Sequence, residues 1–170
     1  MGLPEIFISF QTAAVSAITR SARGVLAVAV KDATAGGAAE AAYKSLAEVP
    51  EDKFSPENYR LLKLAFLAAP TKVWVLRVGE DAEKTYQALE RLRFDWLAAP
   101  GLEDARVMSF IKTLRNGGRG VKAVVANAKA PDCEGIVNLC VSGLTLEDGA
   151  MEAKDYAVRV AALLAALPLT

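Results

Sequence analysis

The chain contains no histidine, and only two of its 170 residues are cysteines. Without histidine, no serine–histidine or cysteine–histidine catalytic pair can form, and no metal can be bound through imidazole. Cys133 and Cys140 lack the C-x-x-C spacing of redox and zinc sites, so we predict reduced thiols in the core and neither a disulfide nor metal ligands. These absences exclude histidine-dependent chemistry and argue against cysteine-dependent chemistry.

Net charge and long apolar runs are also missing. Twenty basic residues cancel twenty acidic ones, and no basic stripe of the kind that binds phosphate backbones is present. No apolar run reaches the roughly 18 residues of a membrane span, and the first residues lack the basic and apolar regions of a signal peptide. We therefore expect neither direct nucleic-acid binding nor a membrane span.

What the chain does have is a large apolar fraction, 53% of its residues. A chain of this length buries roughly 70% of its unfolded surface, which suffices for a core without metals or disulfides. Residues 24–30 carry no polar side chain and include three valines, and charged residues flank them on both sides. This pattern is typical of a strand that is buried on both faces, in the middle of a sheet.

Strand and helix patterns alternate along the remainder of the chain. Ser55-Pro56-Glu57 is a strong helix start, because serine caps free amides and proline suits the first turn. Strands are predicted at 43–49 (a short edge strand), 72–78, 94–98, 121–126 and 136–141, and helices at 55–69, 81–93, 103–115 and about 145–167. This order predicts an α/β fold with a mixed, mostly parallel sheet flanked by helices.

Two details of this scheme depend on weaker patterns. Only nine residues separate strand 121–126 from strand 136–141, which is short for a helical crossover, so the two strands are either antiparallel or joined by one turn of helix. Thr145-Leu-Glu-Asp148 is similar to a capping box and is taken as the start of the last helix.

Three sequence patterns are candidates for ligand or catalytic sites. Gly79-Glu-Asp-Ala-Glu-Lys84 has the position of a phosphate loop but carries Glu83 where the loop requires glycine, so we interpret it as a plain helix start. Asn116-Gly-Gly-Arg-Gly120 is interpreted as a helix stop and turn. The acidic pairs Glu103/Asp104 and Asp132/Glu134 are interpreted as solvated charges. We predict no catalytic, cofactor-binding or metal-binding residue.

The N-terminal segment has a different character from the domain. Residues 3–10 form an imperfectly alternating extended segment, and residues 12–17 are ambiguous between a strand and a helical turn, with strand favoured. We divide the chain into an extended N-terminal arm (1–19) and an α/β domain (20–170). Such an arm can add a strand to the sheet of a neighbouring copy. The candidate residues for this contact between protomers are Ile6, Phe7, Ile8, Phe10, Arg20 and Arg23.

Several blocks of residues carry a resemblance to a known family. They are the first ten residues, residues 17–32, the segment from Asn58-Tyr to Phe66 with Pro70-Thr-Lys-Val-Trp-Val, and Asp132-Cys-Glu-Gly-Ile-Val-Asn138. Over nearly its whole length the chain resembles the contractile tail sheath proteins of myophages and of PBSX-like prophages. Family members are longer, so the resemblance implies an N-terminal portion whose α/β domain is truncated at its carboxyl end.

The resemblance implies a structural protein and not an enzyme. Its subunits would form stacked hexameric rings around a tail tube and drive contraction, with other sheath subunits, the tube protein and a baseplate as partners. The particle would be a phage tail or a phage-like device, assembled in the cytoplasm of the bacterial host, and no cofactor is implied. The alternative left open by the fold pattern is a nucleotide- or small-molecule-binding α/β enzyme domain.

Overall fold

The computed structural model describes residues 24–127 and 131–167, and all structural statements below refer to them. The main strands are β1 (Val25–Lys31), β2 (Glu40–Tyr43), β3 (Lys72–Val78), β4 (Trp96–Ala98), β5 (Lys122–Val125) and β6 (Ile136–Asn138). Two short strands, β7 (Leu144–Leu146) and β8 (Gly149–Met151), form a separate hairpin. The helices are α1 (Pro56–Phe66), α2 (Ala82–Arg91), α3 (Asp104–Asn116) and α4 (Ala153–Ala166).

The six main strands form one sheet in the order β2-β3-β1-β4-β5-β6. All neighbouring pairs are parallel except β2 with β3, which is antiparallel. The predicted fold class, a mixed and mostly parallel sheet flanked by helices, is confirmed. The apolar run after Gly24 is the central strand β1, as predicted, because a strand without polar side chains is stable only when both of its faces are covered.

Helices cover both faces of the sheet. Leu26, Val28 and Val30 point to the face that carries α1 and α4, whereas Ala27 and Ala29 point to the face that carries α2 and α3. These five side chains have almost no solvent exposure. Burying a leucine or valine completely stabilises the fold by roughly 1.5–3 kcal/mol, so β1 contributes to two hydrophobic cores at once.

The predicted edge strand at 43–49 is wrong in position. The edge strand is β2, which ends at Tyr43, and residues 46–48 and 51–53 form two single turns of 3₁₀ helix. The Glu48 side chain accepts a hydrogen bond from the Lys44 amide at 2.7 Å, and the Glu48 amide donates to the Ser45 carbonyl. These local bonds curl the chain back instead of extending it.

The pairing of β5 and β6 is parallel, so the antiparallel alternative is wrong. The Ala123 amide donates to the Gly135 carbonyl at 2.9 Å, and the Leu139 amide donates to the Val125 carbonyl at 2.7 Å. Strands β5 and β6 have only four and three residues. To start β6 parallel to β5, the chain has to travel back along the length of one strand, which is about 10–13 Å at 3.3 Å per residue. A connection without a full crossover helix can span this distance.

The last helix begins later than predicted. Residues from Thr145 to Asp148 do not cap a helix, because they lie in the β7–β8 hairpin, and α4 starts at Ala153. The dipeptide Asp148-Gly149 is a turn signal, and Leu144-Thr-Leu146 has the alternation of a short strand. Here the turn signal decides the local structure, and the similarity to a capping box does not lead to a helix.

Candidate functional site

The carboxyl ends of the parallel strands are the place where α/β domains usually bind ligands. In this protein the Asp32 side chain lies there, directly after β1, and is fully inaccessible to solvent. Its carboxylate accepts hydrogen bonds from the Thr34 amide (2.8 Å), the Ser55 amide (2.9 Å) and Asn58 Nδ2 (2.8 Å). Asn58 is positioned by α1, whose N-cap Ser55 accepts a bond from its amide. The carboxylate is thus held by protein donors.

Arg77, near the end of β3, completes this buried network. Its Nη1 lies 3.5 Å from Asp32 Oδ1 and donates to the Thr34 carbonyl at 2.9 Å, and its Nη2 donates to the Lys53 carbonyl. The guanidinium also stacks over the Phe54 ring at 4.5 Å. A side chain at Gly37 would overlap the guanidinium, because the position of its Cβ lies 1.8 Å from Nη2. A larger residue at Gly37 would therefore have to displace the Arg77 guanidinium from its hydrogen bonds.

Hydrogen bonding decides the charge state of Asp32. Burial alone would raise the pKa of this carboxyl, but the bonds from Ser55, Thr34 and Asn58 outweigh it and hold the pKa well below its usual value of 3.8. The group is ionised in the folded protein at neutral pH. Its negative charge faces Arg77 and three protein donors, so the network is structural.

The crevice between β1 and β4, where the sheet connections diverge, is closed by backbone. The Gly101 amide donates to the Ala29 carbonyl at 2.9 Å, and the Cβ position of Gly101 lies only 2.7 Å from the Lys31 amide nitrogen. The loop after β4 therefore lies directly on the end of β1. Together with the Asp32 network, it fills the place where the alternative enzyme would hold its ligand.

The patterns tested for chemistry have structural roles. At the suspected phosphate loop, Asp81 caps α2 by accepting from the Glu83 amide at 3.0 Å, so carboxylates lie where phosphate would bind. Helix α3 ends at Asn116 with Gly117 as its C-cap, as predicted. Within the part of the chain that the structure describes, no group of three or more metal-ligating side chains could hold an ion, and no helix is long and apolar enough to cross a membrane.

The two acidic pairs lie in different places and do not converge. Asp104 opens α3 and lies 3.8 Å from Lys154 Nζ, whereas Glu134 forms an ion pair with Arg115 at the other end of that helix. Each pairs with a basic residue of a neighbouring element. Their interpretation as solvated charges fits Glu134, whose side chain is 86% exposed, and is wrong for Asp104, whose side chain is only 15% exposed.

The two tryptophans and the two cysteines differ in their burial. Trp74 and Trp96 are half-buried and pack against the two cores, with Lys72 and Lys122 stacked over their rings at 4.8 Å and 5.3 Å. Both cysteines are free, as predicted. Their predicted place in the core is wrong for Cys140, which is exposed, because the chain leaves the sheet after Asn138.

The two edge strands of the sheet are the surfaces suited to strand addition. In β6, Gly135 and Leu139 direct their backbone groups at β5, so by alternation the carbonyl of Ile136 and both backbone groups of Asn138 face outward. In β2 the Ala39 carbonyl accepts from the Arg77 amide, so Glu40 and Ala42 face outward. Glu40 places a charge on this edge, a feature that discourages uncontrolled pairing.

The β7–β8 hairpin is attached to the domain by Arg60 of α1. Its guanidinium donates to both carboxylate oxygens of Asp148 at 2.7 and 2.8 Å, and to the carbonyls of Gly149 (3.0 Å) and Ala150 (3.1 Å). The bond from Arg60 lowers the pKa of Asp148. Nothing in the sequence marked this contact, because the two residues are far apart in the chain.

The candidate arm residues were Ile6, Phe7, Ile8, Phe10, Arg20 and Arg23, and all six lie outside the described residues. The division into an arm at 1–19 and a domain at 20–170 consequently stays a prediction. The structure describes only one part of the arm hypothesis, namely the edge strands β2 and β6, which could accept the arm of another copy.

Comparison with known proteins adds one relative and two solved structures. No protein-family model matches the chain. The tail sheath protein of Clostridium phage phiCD119 is 32% identical over 186 aligned positions, covering 99% of this chain and 50% of that protein. The chain thus spans about half the length of the curated relative it matches.

The two structures share the fold. The sheath tail protein from Listeria innocua has a TM-score of 0.69 at 17% identity, covering 85% of this chain and 57% of that one. The sheath tail protein from Desulfitobacterium hafniense also has a TM-score of 0.69, at 14% identity, covering 95% of this chain and 62% of that one. The relative and both structures are tail sheath proteins, which confirms the resemblance found in the sequence.

Proposed function

Because this chain is a homologue of a phage tail sheath protein, matched over 99% of its length, we propose that it is part of the structural subunit of a phage tail sheath. That homology is the observation that carries the proposal. The buried Asp32–Arg77 network and the closed crevice at Gly101 support it, because they fill the usual ligand position of an α/β enzyme.

In this proposal the subunits assemble into hexameric rings that stack around a tail tube above a baseplate. Contraction then reorients whole subunits. A rigid body suits such a motion: β1 is buried on both faces, and the loop that follows it is locked by buried hydrogen bonds. Assembly takes place in the cytoplasm of the host bacterium, and the finished protein belongs to the tail.

The N-terminal arm links neighbouring subunits by strand addition. Residues 3–10 pair with an edge of the sheet of another copy, through backbone hydrogen bonds that survive a change of subunit orientation. The outward-facing backbone groups of β2 and β6 make both strands possible acceptors. Arg20 and Arg23 form salt bridges between protomers at the base of the arm.

Deletion of residues 1–12 in the gene for this protein tests the proposal. We expect a folded domain with an unchanged thermal melt, and particles that lack tubular sheaths in electron micrographs. A matched pair of variants separates the two faces of the arm: Ile6→Lys with Ile8→Lys changes one face of a strand, and Glu5→Lys with Ser9→Lys changes the other. We expect only the first pair to abolish sheaths.

Normal sheaths after the deletion would refute the role of the arm. Sheathless tails from the deletion variant leave the structural proposal standing. Wild-type particles that contain none of this protein would refute it. A thermal-shift screen with nucleotides tests the enzyme alternative, because a ligand at a hundred times its Kd stabilises the native state by about 2.7 kcal/mol.

A further inference from the structure

The two ends of the described domain carry opposite charge. One end holds the carboxyl ends of the parallel strands and the starts of the four helices, and we call it the carboxyl-end face. It bears five exposed glutamates that form no ion pair with another described residue, namely Glu57, Glu80, Glu103, Glu147 and Glu152. Lys31 and Lys84 are the exposed basic residues there without such a pair, so this face is acidic.

The opposite end, the amino-end face, is basic. It holds the starts of the parallel strands and the ends of the helices. Its exposed or half-buried basic residues that pair with no described acid are Lys63, Lys72, Arg93, Arg119 and Lys122. The exposed acids there without an ion pair to a described residue, Glu48, Glu90 and Asp132, are fewer.

Contacts between described residues join the carboxyl-end face into one surface. An ion pair between Arg106 and Glu83 links the starts of α3 and α2, and Lys154 Nζ, 3.8 Å from Asp104, links α4 to α3. The bonds from Arg60 link α1 to the hairpin that leads into α4. The basic residues of these links are already paired with acids, so the five glutamates keep their excess charge.

The amino-end face is joined in the same way. Arg119 Nη1 donates to the Glu90 carbonyl at 2.8 Å, at the end of α2. The Lys122 amide donates to the Asp95 carbonyl at 2.9 Å, and Asp95 Oδ2 accepts from the Gly24 amide at 2.7 Å. These bonds link the starts of β5, β4 and β1. The Asp95 carboxylate is turned to backbone amides and away from the basic side chains of the surface.

The two faces are too far apart to neutralise each other. The helices between them have 10 to 14 residues and are therefore about 15–21 Å long. Exposed charges separated by more than the Debye length, about 8 Å at physiological salt, are largely screened from each other. The domain is thus a body with two oppositely charged ends, although the chain as a whole has no net charge.

Helix stabilisation does not account for this separation of charge. Acidic residues in a first turn and basic residues in a last turn stabilise a helix through its dipole, which explains Glu57 and Lys63. Glu80, Glu147 and Lys122, however, lie outside the helices. Their charges have the same sign as the rest of their face, so the asymmetry belongs to the surface as a whole.

We propose that copies of this chain associate head to tail, with the carboxyl-end face of one copy on the amino-end face of the next. A partner of a single sign, such as a nucleic acid, would be repelled by one of the two faces, whereas a second copy matches both. Because this contact joins two different surfaces, it repeats into an open stack. The contact stands without the proposed function, and its place between successive rings of a sheath rests on that function.

Sedimentation equilibrium of the 170-residue chain tests this contact. The chain is kept reduced, because Cys140 is exposed, and is measured at about 0.01 M and about 1 M salt, where the Debye length is roughly 30 Å and 3 Å. One variant reverses the carboxyl-end face by Glu80→Lys with Glu147→Lys, and a second reverses the amino-end face by Arg93→Glu with Lys122→Glu. The control, Gln87→Lys with Ser109→Lys, adds charge midway along α2 and α3.

We expect the wild-type chain to self-associate at low salt, and at least about tenfold more weakly at high salt because its charges are then screened. Each reversed variant should self-associate at least about tenfold more weakly than wild type at low salt, because like charges then meet. An equimolar mixture of the two reversed variants should associate as wild type does, since each altered face meets its opposite on the other variant. The control should behave as wild type.

Four results would overturn the head-to-tail contact: a monomeric wild type at low salt, undiminished association of either reversed variant, a mixture that stays monomeric, or lost association of the control. Each of them leaves the proposed function standing, because that is decided by whether wild-type particles contain this protein. If circular dichroism shows that a reversal impairs folding, glutamine at the same two positions replaces it, and this variant must also weaken association.

Discussion

Replacement of Asp32 by alanine tests the buried network that locks the loop after β1. The substitution removes an inaccessible carboxylate that accepts three hydrogen bonds and faces Arg77 at 3.5 Å. Removing one partner of a buried charge pair costs about 3–5 kcal/mol, because Arg77 loses its counter-charge and the Thr34 and Ser55 amides lose their acceptor. For a protein of this size, 1 kcal/mol corresponds to roughly 2–4 °C in Tm, so we expect a loss of about 6–20 °C.

The effect of Asp32→Ala depends on pH with a definite sign. Because the pKa of Asp32 is depressed in the folded state, its stabilising contribution is complete above the unfolded value of 3.8 and is lost as the pH falls towards the folded value. The difference in unfolding free energy between wild type and variant is therefore constant near neutral pH. It shrinks below about pH 4.

Thermal unfolding at pH 7 gives the Tm, and urea unfolding at pH 7 and at intervals down to pH 3 gives the unfolding free energy; both are followed by circular dichroism. The control is Asp52→Ala, because Asp52 is 72% exposed and, among the described residues, its ion pair is with the neighbouring Lys53. We expect the control to change stability by no more than about 0.5 kcal/mol. A Tm for Asp32→Ala within 2 °C of wild type, by the scaling above about 1 kcal/mol or less, would refute the reasoning, as would a difference that does not change with pH.

Two further substitutions test the closed crevice and the hairpin. Gly101→Ala forces a Cβ against the backbone at the end of β1 and should cost about 1–3 kcal/mol, whereas Gly120→Ala, which has open space around it, should not; urea unfolding that shows equal effects would contradict the close approach. Arg60→Met removes four hydrogen bonds to the hairpin, so amide exchange at 144–151 should accelerate while α1 stays protected; unchanged exchange would contradict the role of Arg60.

Local sequence patterns predicted most of the fold. Strand β3 has the predicted bounds, and the start of α1 follows from Ser55 and Pro56 at its first positions. The errors lie where two local signals compete. Thr145 resembles a helix cap, yet Glu147 and Asp148 form the turn of a hairpin between β7 and β8. Residues 43–49 have the pattern of a strand, but short-range hydrogen bonds around Glu48 turn the chain there instead.

The features of the candidate site were less predictable. Asp32 reads in the sequence as the charged end of a strand, and Arg77 as one polar residue in an apolar strand. The two side chains are buried together because the loop between them folds back over the sheet. The hydrophobic periodicity of the sequence does not predict the path of that loop. The bond between Arg60 and Asp148 and the direction of β6 are long-range features of the same kind.

The sequence by itself determined the alternation of strands and helices, the doubly buried central strand and the absence of histidine chemistry, because periodicity, capping residues and composition act over short stretches of chain. It also carried the resemblance to sheath proteins. Only the tertiary structure decided that the carboxyl end of the sheet is filled and that β2 and β6 form its edges. These outcomes depend on contacts between distant residues, whose energies exist only once the chain has folded.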